Sequence, residues 1–130
     1  MIFKKSLLSL LFCFFTVQIF AHEGHDSANL KSMHGGIVKK SKTAYVEVLQ
    51  EEGKIDIYIS NHEYQNIVTP TLDVSAFADV KGKKIILKLN KMDNHFEINN
   101  ELKNEKHFKL NIDIKLAGRK KESVVFPLEN

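Results

Sequence analysis

Residues 108–116 read Phe-Lys-Leu-Asn-Ile-Asp-Ile-Lys-Leu, a strict alternation of apolar and polar side chains. Successive side chains of a β-strand point to opposite faces of a sheet, so this segment would bury one face and expose the other. Residues 54–60 and 72–80 show the same period of two. Strands of this half-exposed kind favour an antiparallel sheet, because the strands of parallel sheets are usually apolar on both faces.

Turn residues separate these segments at short intervals, as in Glu51-Glu52-Gly53 and Lys81-Gly82. The pattern predicts a single antiparallel β-sandwich of seven to eight strands, immunoglobulin-like, over residues 37–130. The chain has no tryptophan and a single cysteine, so it lacks the tryptophan and disulfide at the centre of antibody domains. The strands are expected at 43–49, 54–60, 71–80, 83–90, 95–98, 108–116 and 121–128.

Alternate residues of these strands supply the expected core, whose apolar side chains would pack between the two sheets. The predicted members are Val46, Val48, Ile55, Ile57, Ile59, Leu72, Val74, Ala76, Ile85, Leu87, Leu89, Phe96, Ile98, Phe108, Leu110, Ile112, Ile114, Val124 and Phe126.

The amino terminus carries the pattern of a secretory signal peptide. Lys4 and Lys5 precede an apolar run over residues 6–20, and Ala21 offers a small residue at the cleavage point. A membrane anchor is the rival interpretation, but a run of roughly 15 residues is shorter than the ~20 that span a bilayer. The sequence therefore predicts cleavage after residue 21, export to the periplasm and no membrane attachment after cleavage.

The composition of the exported part excludes several classes of function. Cys13 lies within the predicted signal, so the remainder has no thiol for a disulfide, a thiolate metal site or nucleophilic catalysis. The whole chain has 19 lysines and arginines and 16 acidic residues, and removal of Lys4 and Lys5 leaves an excess of one positive charge. The lysines are spread along the chain, so they form no basic stripe for nucleic acid. No nucleophile elbow, phosphate loop or His-Glu-x-x-His motif occurs, and the chain is predicted not to be an enzyme.

A histidine-rich segment follows the predicted cleavage point. Residues 21–26 read Ala-His-Glu-Gly-His-Asp, residues 33–36 read Met-His-Gly-Gly, and residues 22–36 are interpreted as a flexible arm. Cleavage would leave His22 with a free amine beside its imidazole, and His25 or His34 would add a further nitrogen. The predicted metal ligands are therefore His22, His25 and His34, with copper favoured and zinc, cobalt or nickel as alternatives.

Three further histidines and one methionine are weaker candidates. His62 falls in a predicted loop, and His107 shares the polar face of its strand with Lys109. His95 shares the face opposite Phe96 with Glu97, so both are expected to point to solvent. Each of these histidines is interpreted as a surface residue. Met92, close to His95 around a turn, offers a second and weaker site as an alternative.

Several short strings resemble a known group of proteins. They are His-Gly-Gly-Ile-Val at 34–38, Asp-Asn-His-Phe-Glu at 93–97 and Val-Val-Phe-Pro-Leu at 124–128. These strings are similar to small periplasmic proteins and to the N-terminal β-domain of heavy-metal efflux adaptor proteins of the cobalt–zinc–cadmium type. The resemblance covers residues 34–128 and implies a periplasmic β-sandwich associated with metal resistance. It also implies an efflux component as a partner, although the chain lacks the hairpin, lipoyl-like and barrel parts of a full adaptor.

His22, as the first residue after cleavage, also resembles the N-terminal histidine of periplasmic copper-resistance β-sandwich proteins. Those proteins share no wider pattern with this sequence. Two functional hypotheses follow from the residues and these resemblances together. In the first, the protein binds copper or a divalent transition metal as a buffer, chaperone or efflux accessory. In the second, it is an exported β-sandwich that binds a protein partner without a metal.

Overall fold

The structure of the protein is a computed structural model that describes residues 30–130. The predicted signal peptide, His22 and His25 lie outside the described residues. The described part of the chain forms β-strands, and it contains no helix long and apolar enough to cross a membrane. The strands are β1 (Ile37–Lys40), β2 (Tyr45–Glu51), β3 (Lys54–Ser60), β4 (Asp73–Val80), β5 (Lys83–Leu87), β6 (Asn90–Lys91), β7 (Phe96–Asn99), β8 (His107–Lys115) and β9 (Glu122–Glu129).

The strands form two antiparallel sheets. The first sheet has the order β1-β2-β3-β7-β6, and the second has the order β5-β4-β8-β9. Strands β2, β3, β7 and β6 follow the A-B-E-D order of an immunoglobulin fold, and β5, β4, β8 and β9 follow the order C′-C-F-G. The prediction of an antiparallel, immunoglobulin-like β-sandwich is therefore confirmed.

The chain changes sheets within a segment that the sequence predicts as one strand, residues 83–90. Strand β5 ends at Leu87 in the second sheet, and β6 begins at Asn90 in the first. The amide of Lys88, at the crossing, donates a hydrogen bond to a carboxylate oxygen of Glu101 at 3.0 Å. The alternation of apolar residues continues without interruption to Leu89, so the sequence pattern did not reveal that the chain passes from one sheet to the other. This division and the four-residue β1 give nine described strands, more than the predicted seven to eight.

The core lies between the two sheets and follows the alternation of the sequence. Leu110, Ile112 and Ile114 of β8 are at most 1% exposed. Three predicted core residues, Val74, Ile85 and Leu89, are only partly buried and pack against the edge of this core. Five buried apolar residues were not predicted: Ala44, Ala78, Val80, Leu102 and Leu128.

A carboxylate connects the two sheets at one end of the sandwich. Glu122, at the start of β9, accepts hydrogen bonds from the amide (2.8 Å) and the hydroxyl of Thr43, just before β2. Burial alone would raise the pKa of Glu122, but hydrogen bonds from Thr43 and from neighbouring Ser41 and Lys42 lower it below 4.5. The folded protein therefore stabilises the charged form of this side chain.

Two isoleucines of the second sheet test the assignment of the core. Ile112 is fully buried and Ile86 is 79% exposed. We expect Ile112→Ala to lower the free energy of unfolding by about 2–5 kcal/mol, because it removes buried methyl groups and leaves a cavity. Ile86→Ala, the matched control, should change it by less than about 0.5 kcal/mol in urea denaturation. Equal losses in the two variants would contradict the sandwich core.

Glu122 gives a prediction of pH dependence. Its pKa is lowered on folding, so its contribution to stability is complete above the unfolded value of 4.5 and is lost as the pH falls further. At neutral pH, Glu122→Gln should lower the free energy of unfolding by about 1 kcal/mol, because the site is partly solvated. The difference from the parent should shrink below about pH 4.5. Exposed Glu52→Gln is the control, and a pH-independent difference for Glu122→Gln would refute this account.

Candidate functional site

The outer face of a sheet in a sandwich is usually exposed to solvent, but the outer face of the first sheet carries two buried acidic side chains. Glu47 of β2 faces Tyr58 of β3, and Asp56 of β3 faces Glu97 of β7. Glu47 is 5% exposed and Asp56 is 3% exposed. Charged side chains are rarely buried to this degree unless they are paired or bound, so this face is the candidate functional site.

The carboxylate of Glu47 is surrounded by donors from the segment that precedes β1. It accepts hydrogen bonds from the amides of Met33 (3.1 Å), His34 (3.0 Å) and Gly36 (2.8 Å). The hydroxyl of Ser32 donates another at 2.8 Å. Together these bonds replace water around the buried charge. Residues 32–36, which the sequence assigns to the arm, are thereby attached to the sandwich.

The two glycines of the His-Gly-Gly motif allow this wrapping. Gly35 has a φ of +84°, a conformation that residues with a side chain rarely adopt. A Cβ on Gly36 would lie 2.4 Å from the carbonyl oxygen of Val48, far inside contact distance. The backbone of Gly36 therefore reaches Glu47 only because the residue has no side chain.

This wrapping fixes the imidazole of His34. Its Nδ1 lies 3.0 Å from Oε1 of Glu47, and its ring stacks on Tyr58 with centroids 3.6 Å apart and planes inclined by 9°. Its Nε2 makes no hydrogen bond to any of residues 30–130, and the side chain is 37% exposed. A histidine whose Nδ1–H donates to a carboxylate has its second nitrogen oriented for a ligand.

The electrostatics keep Glu47 charged beside this imidazole. Burial alone would raise the pKa of Glu47, but hydrogen bonds from Gly36, His34 and Ser32 outweigh burial and lower it below 4.5. At neutral pH the carboxylate is therefore ionised, and it can accept the hydrogen bond of the His34 Nδ1–H group.

An open cleft of about 240 Å³ lies beside His34. Its walls include Met33 and the three tyrosines Tyr45, Tyr58 and Tyr64. The amide of Lys31 donates a hydrogen bond to the hydroxyl of Tyr64 at 2.9 Å, which adds a second attachment for the segment. The cleft thus combines aromatic walls, a thioether and one oriented imidazole.

His95 occupies a second group of polar residues beyond Tyr58. Its Nε2 is 3.3 Å from Oε1 of Glu97 and 3.6 Å from Oδ1 of Asp56, and its ring centroid is 4.8 Å from that of Tyr58. His95 and Glu97 share a face as expected, but their predicted exposure is wrong, because their side chains are only 16% and 17% exposed. Alternation identified the face, but it did not reveal that Asp56 and Tyr58 bury part of it.

The remaining candidates are placed as follows. His62 is exposed and its ring lies 4.8 Å from that of Tyr45, at the margin of the cleft. His107 is confirmed as a surface residue, 69% exposed and 3.5 Å from Glu129. Met92 is joined to His95 by a main-chain hydrogen bond of 2.8 Å, and its side chain is exposed.

No known family model matches this chain, and no curated protein is significantly similar to it. Among solved structures, it is similar to the crystal structure of a DUF4426 family protein from Pseudomonas aeruginosa PAO1. The TM-score is 0.48 and the identity 14%, and the match covers 72% of this chain and 94% of the other.

Gly36 gives a test of the wrapped segment. We expect Gly36→Ala to displace residues 32–36 from Glu47, because the added Cβ would collide with the carbonyl of Val48. Amide hydrogen exchange of Met33 and His34, measured by NMR, should accelerate by about tenfold or more.

Gly118→Ala is the matched control for that variant. It strains a positive φ of 75° in the turn before β9, but an added Cβ there meets no atom within 4 Å. The exchange of Met33 and His34 should stay at the parental rate in this control. Parental rates in Gly36→Ala as well would show that the hydrogen bonds to Glu47 do not hold the segment.

Proposed function

We propose that this is an exported, periplasmic metal-binding protein that acts as a metal buffer, chaperone or efflux accessory. It captures copper or a divalent ion such as zinc, cobalt or nickel through His34, with His22 and His25 as further ligands. The observation that carries the proposal is the orientation of the His34 imidazole, with Nδ1 at Glu47 and Nε2 without a partner among the described residues.

The chemistry of His34 supports a metal rather than a purely structural role. Imidazole nitrogen is a common ligand for copper, zinc, nickel and cobalt. A carboxylate on the opposite ring nitrogen fixes the tautomer and the ring orientation, as in many known metal sites. Stacking on Tyr58 further restricts the ring, so little conformational entropy remains to be lost when the ion binds.

The short separation in sequence allows the preceding histidines to be ligands of the same ion as His34. A chain extends by at most about 3.5 Å per residue, so the segment from His25 to His34 can span far more than one coordination sphere. In the proposed site, His25 or His22 binds the same ion as His34. If cleavage follows Ala21, the amine and imidazole of His22 would add two nitrogens, a set suited to Cu(II).

The same chemistry provides a route of release. An imidazole must be neutral to bind a metal ion. At lower pH, protons therefore compete with the ion for the imidazole nitrogen and weaken binding. Such an ion is bound partly by the fixed ring of His34 and partly by ligands of the preceding segment. A partner protein can therefore replace these ligands one at a time and take the ion. A role in transfer, including transfer to an efflux component, agrees with such a site.

The aromatic cleft favours a second candidate function, recognition of a protein segment without a metal. Tyr45, Tyr58 and Tyr64 are amphipathic rings of the kind enriched where proteins contact each other. Binding of ions separates the two candidates, because a metal-independent module has no reason to hold one at His34.

Metal titration of the chain beginning at His22 tests the proposed function. We expect binding of at least one of Cu(II), Zn(II), Ni(II) and Co(II) with a dissociation constant tighter than about 1 μM. His34→Phe keeps a ring against Tyr58 but removes the nitrogens, and it should weaken binding of that ion by about tenfold or more. Gly36→Ala should also weaken it, because it moves the imidazole without removing it.

His107→Phe is the matched control, since this exposed histidine lies on the second sheet. Its affinity should equal that of the parent. Equal affinities of the parent and His34→Phe would overturn the proposal, and so would the lack of micromolar binding for all four ions.

A further inference from the structure

A second set of potential ligands lies on the outer face of the first sheet, apart from His34. Asp56 of β3 pairs in register with Glu97 of β7, and His95 immediately precedes β7. One ligand atom from each of the three residues lies within 4.8 Å of the others. The pairing of two strands and a short turn therefore brings two carboxylates and an imidazole together.

One oxygen of this set has no hydrogen-bond partner within the described chain. The Asp56 side chain is 5% exposed, and its Oδ1 accepts no hydrogen bond. A buried carboxylate oxygen without a donor is costly, and such atoms are rare in folded proteins. Oδ1 faces Nε2 of His95 at 3.6 Å, so it points into the group rather than away from it.

The other ring nitrogen of His95 indicates what Nε2 presents to these oxygens. Nδ1 lies 2.7 Å from Oδ1 of Asn94, and the tautomer with the proton on Nδ1 donates to this carbonyl oxygen. With a proton on Nε2, the ring donates to Oε1 of Glu97 at 3.3 Å. In the tautomer with the proton on Nδ1, the lone pair of Nε2 is instead directed toward this oxygen and toward Oδ1 of Asp56 at 3.6 Å. Three acceptors that converge in this way are stabilised by a cation among them.

Two of the three separations are close to those around a small metal ion, and all three lie within 4.8 Å. In a tetrahedral site with bonds of about 2.0 Å to nitrogen and oxygen, neighbouring ligand atoms lie about 3.3 Å apart. The distance from His95 to Glu97 is 3.3 Å, and that from His95 to Asp56 is 3.6 Å. One imidazole with two carboxylates suits Zn²⁺ and its probe Co²⁺, whereas Cu(I) prefers thiolate and thioether ligands.

Lys54 is the competing cation. Its Nζ lies 3.6 Å from Oδ2 of Asp56, 3.7 Å from Oε1 of Glu97 and 3.8 Å from Oε2 of Glu51. The charge of Asp56 raises the pKa of Lys54, so the amine is protonated at neutral pH. All three contacts are longer than ordinary hydrogen bonds, and the side chain is 35% exposed. Lys54 can therefore move aside toward Glu51 when an ion enters.

We propose that Asp56 Oδ1, His95 Nε2 and Glu97 Oε1 form a site for a divalent cation of the zinc class. Water completes the coordination, and the ammonium group of Lys54 neutralises the carboxylates in the metal-free protein. This site shares no ligand with His22, His25 and His34, so it does not depend on the proposed function. Lys54 opposes the ion, so its removal tightens binding.

The experiment uses the chain beginning at His22 with three substitutions, His22→Ala, His25→Ala and His34→Phe, as the background. Together they remove the histidine ligands of the proposed function, and the phenylalanine keeps a ring against Tyr58. Titration with Co²⁺, followed by its visible d–d absorption, should show one equivalent bound, and Zn²⁺ should displace it. Adding His95→Gln to this background should weaken binding by about tenfold or more. Adding Lys54→Met instead should tighten it severalfold.

Glu97→Gln is a second ligand variant on a partly exposed side chain, should His95→Gln fail to fold by circular dichroism. His107→Gln in the same background is the matched control and should bind Co²⁺ as the background does. The proposal is overturned if the background shows no Co²⁺ absorption or if a folded ligand variant keeps its affinity. It is also overturned if Lys54→Met binds no tighter. None of these results bears on whether the tail histidines bind an ion in the parent.

Discussion

The burial of one negative charge, that of Glu47, determines the arrangement of the candidate site. A carboxylate in the middle of a sheet face is tolerated only when donors replace the water it has lost, and here they come from residues 32–36. The segment before β1 is therefore bound to the sheet, and His34 has a defined position. Hydrogen bonds to a charged group contribute about 1.5–3 kcal/mol each, so this attachment is strong for so short a segment.

Most of the fold could be predicted because its strands alternate clearly. In β3 and β8 every second residue is apolar and buried. A shift of the strand register by one residue would turn all of these apolar side chains toward water. The crossing after Leu87 could not be predicted, since alternation describes which face a side chain takes and not which sheet its strand joins. Leu102 lies in a turn without any period, so its burial had no sequence signal.

The site was predicted only in part. His34 was identified by composition, but its partner Glu47 was not, because a glutamate in an alternating strand is indistinguishable from a solvated one. Asp56 was missed for the same reason, although it pairs with Glu97 in register. Contacts between residues distant in sequence depend on strand pairing, which the pattern of a single strand does not contain. A signal was present in the two glycines after His34, which mark a close approach of the backbone.

The aromatic composition of the cleft has an optical consequence. The chain contains three tyrosines and no tryptophan, and all three tyrosines line the same cleft beside His34. Ultraviolet emission of the folded protein therefore originates from this one surface, without an indole elsewhere to mask it. A quencher or a bound aromatic guest at this surface would be visible in the unlabelled protein, and events at the opposite sheet would leave the signal unchanged.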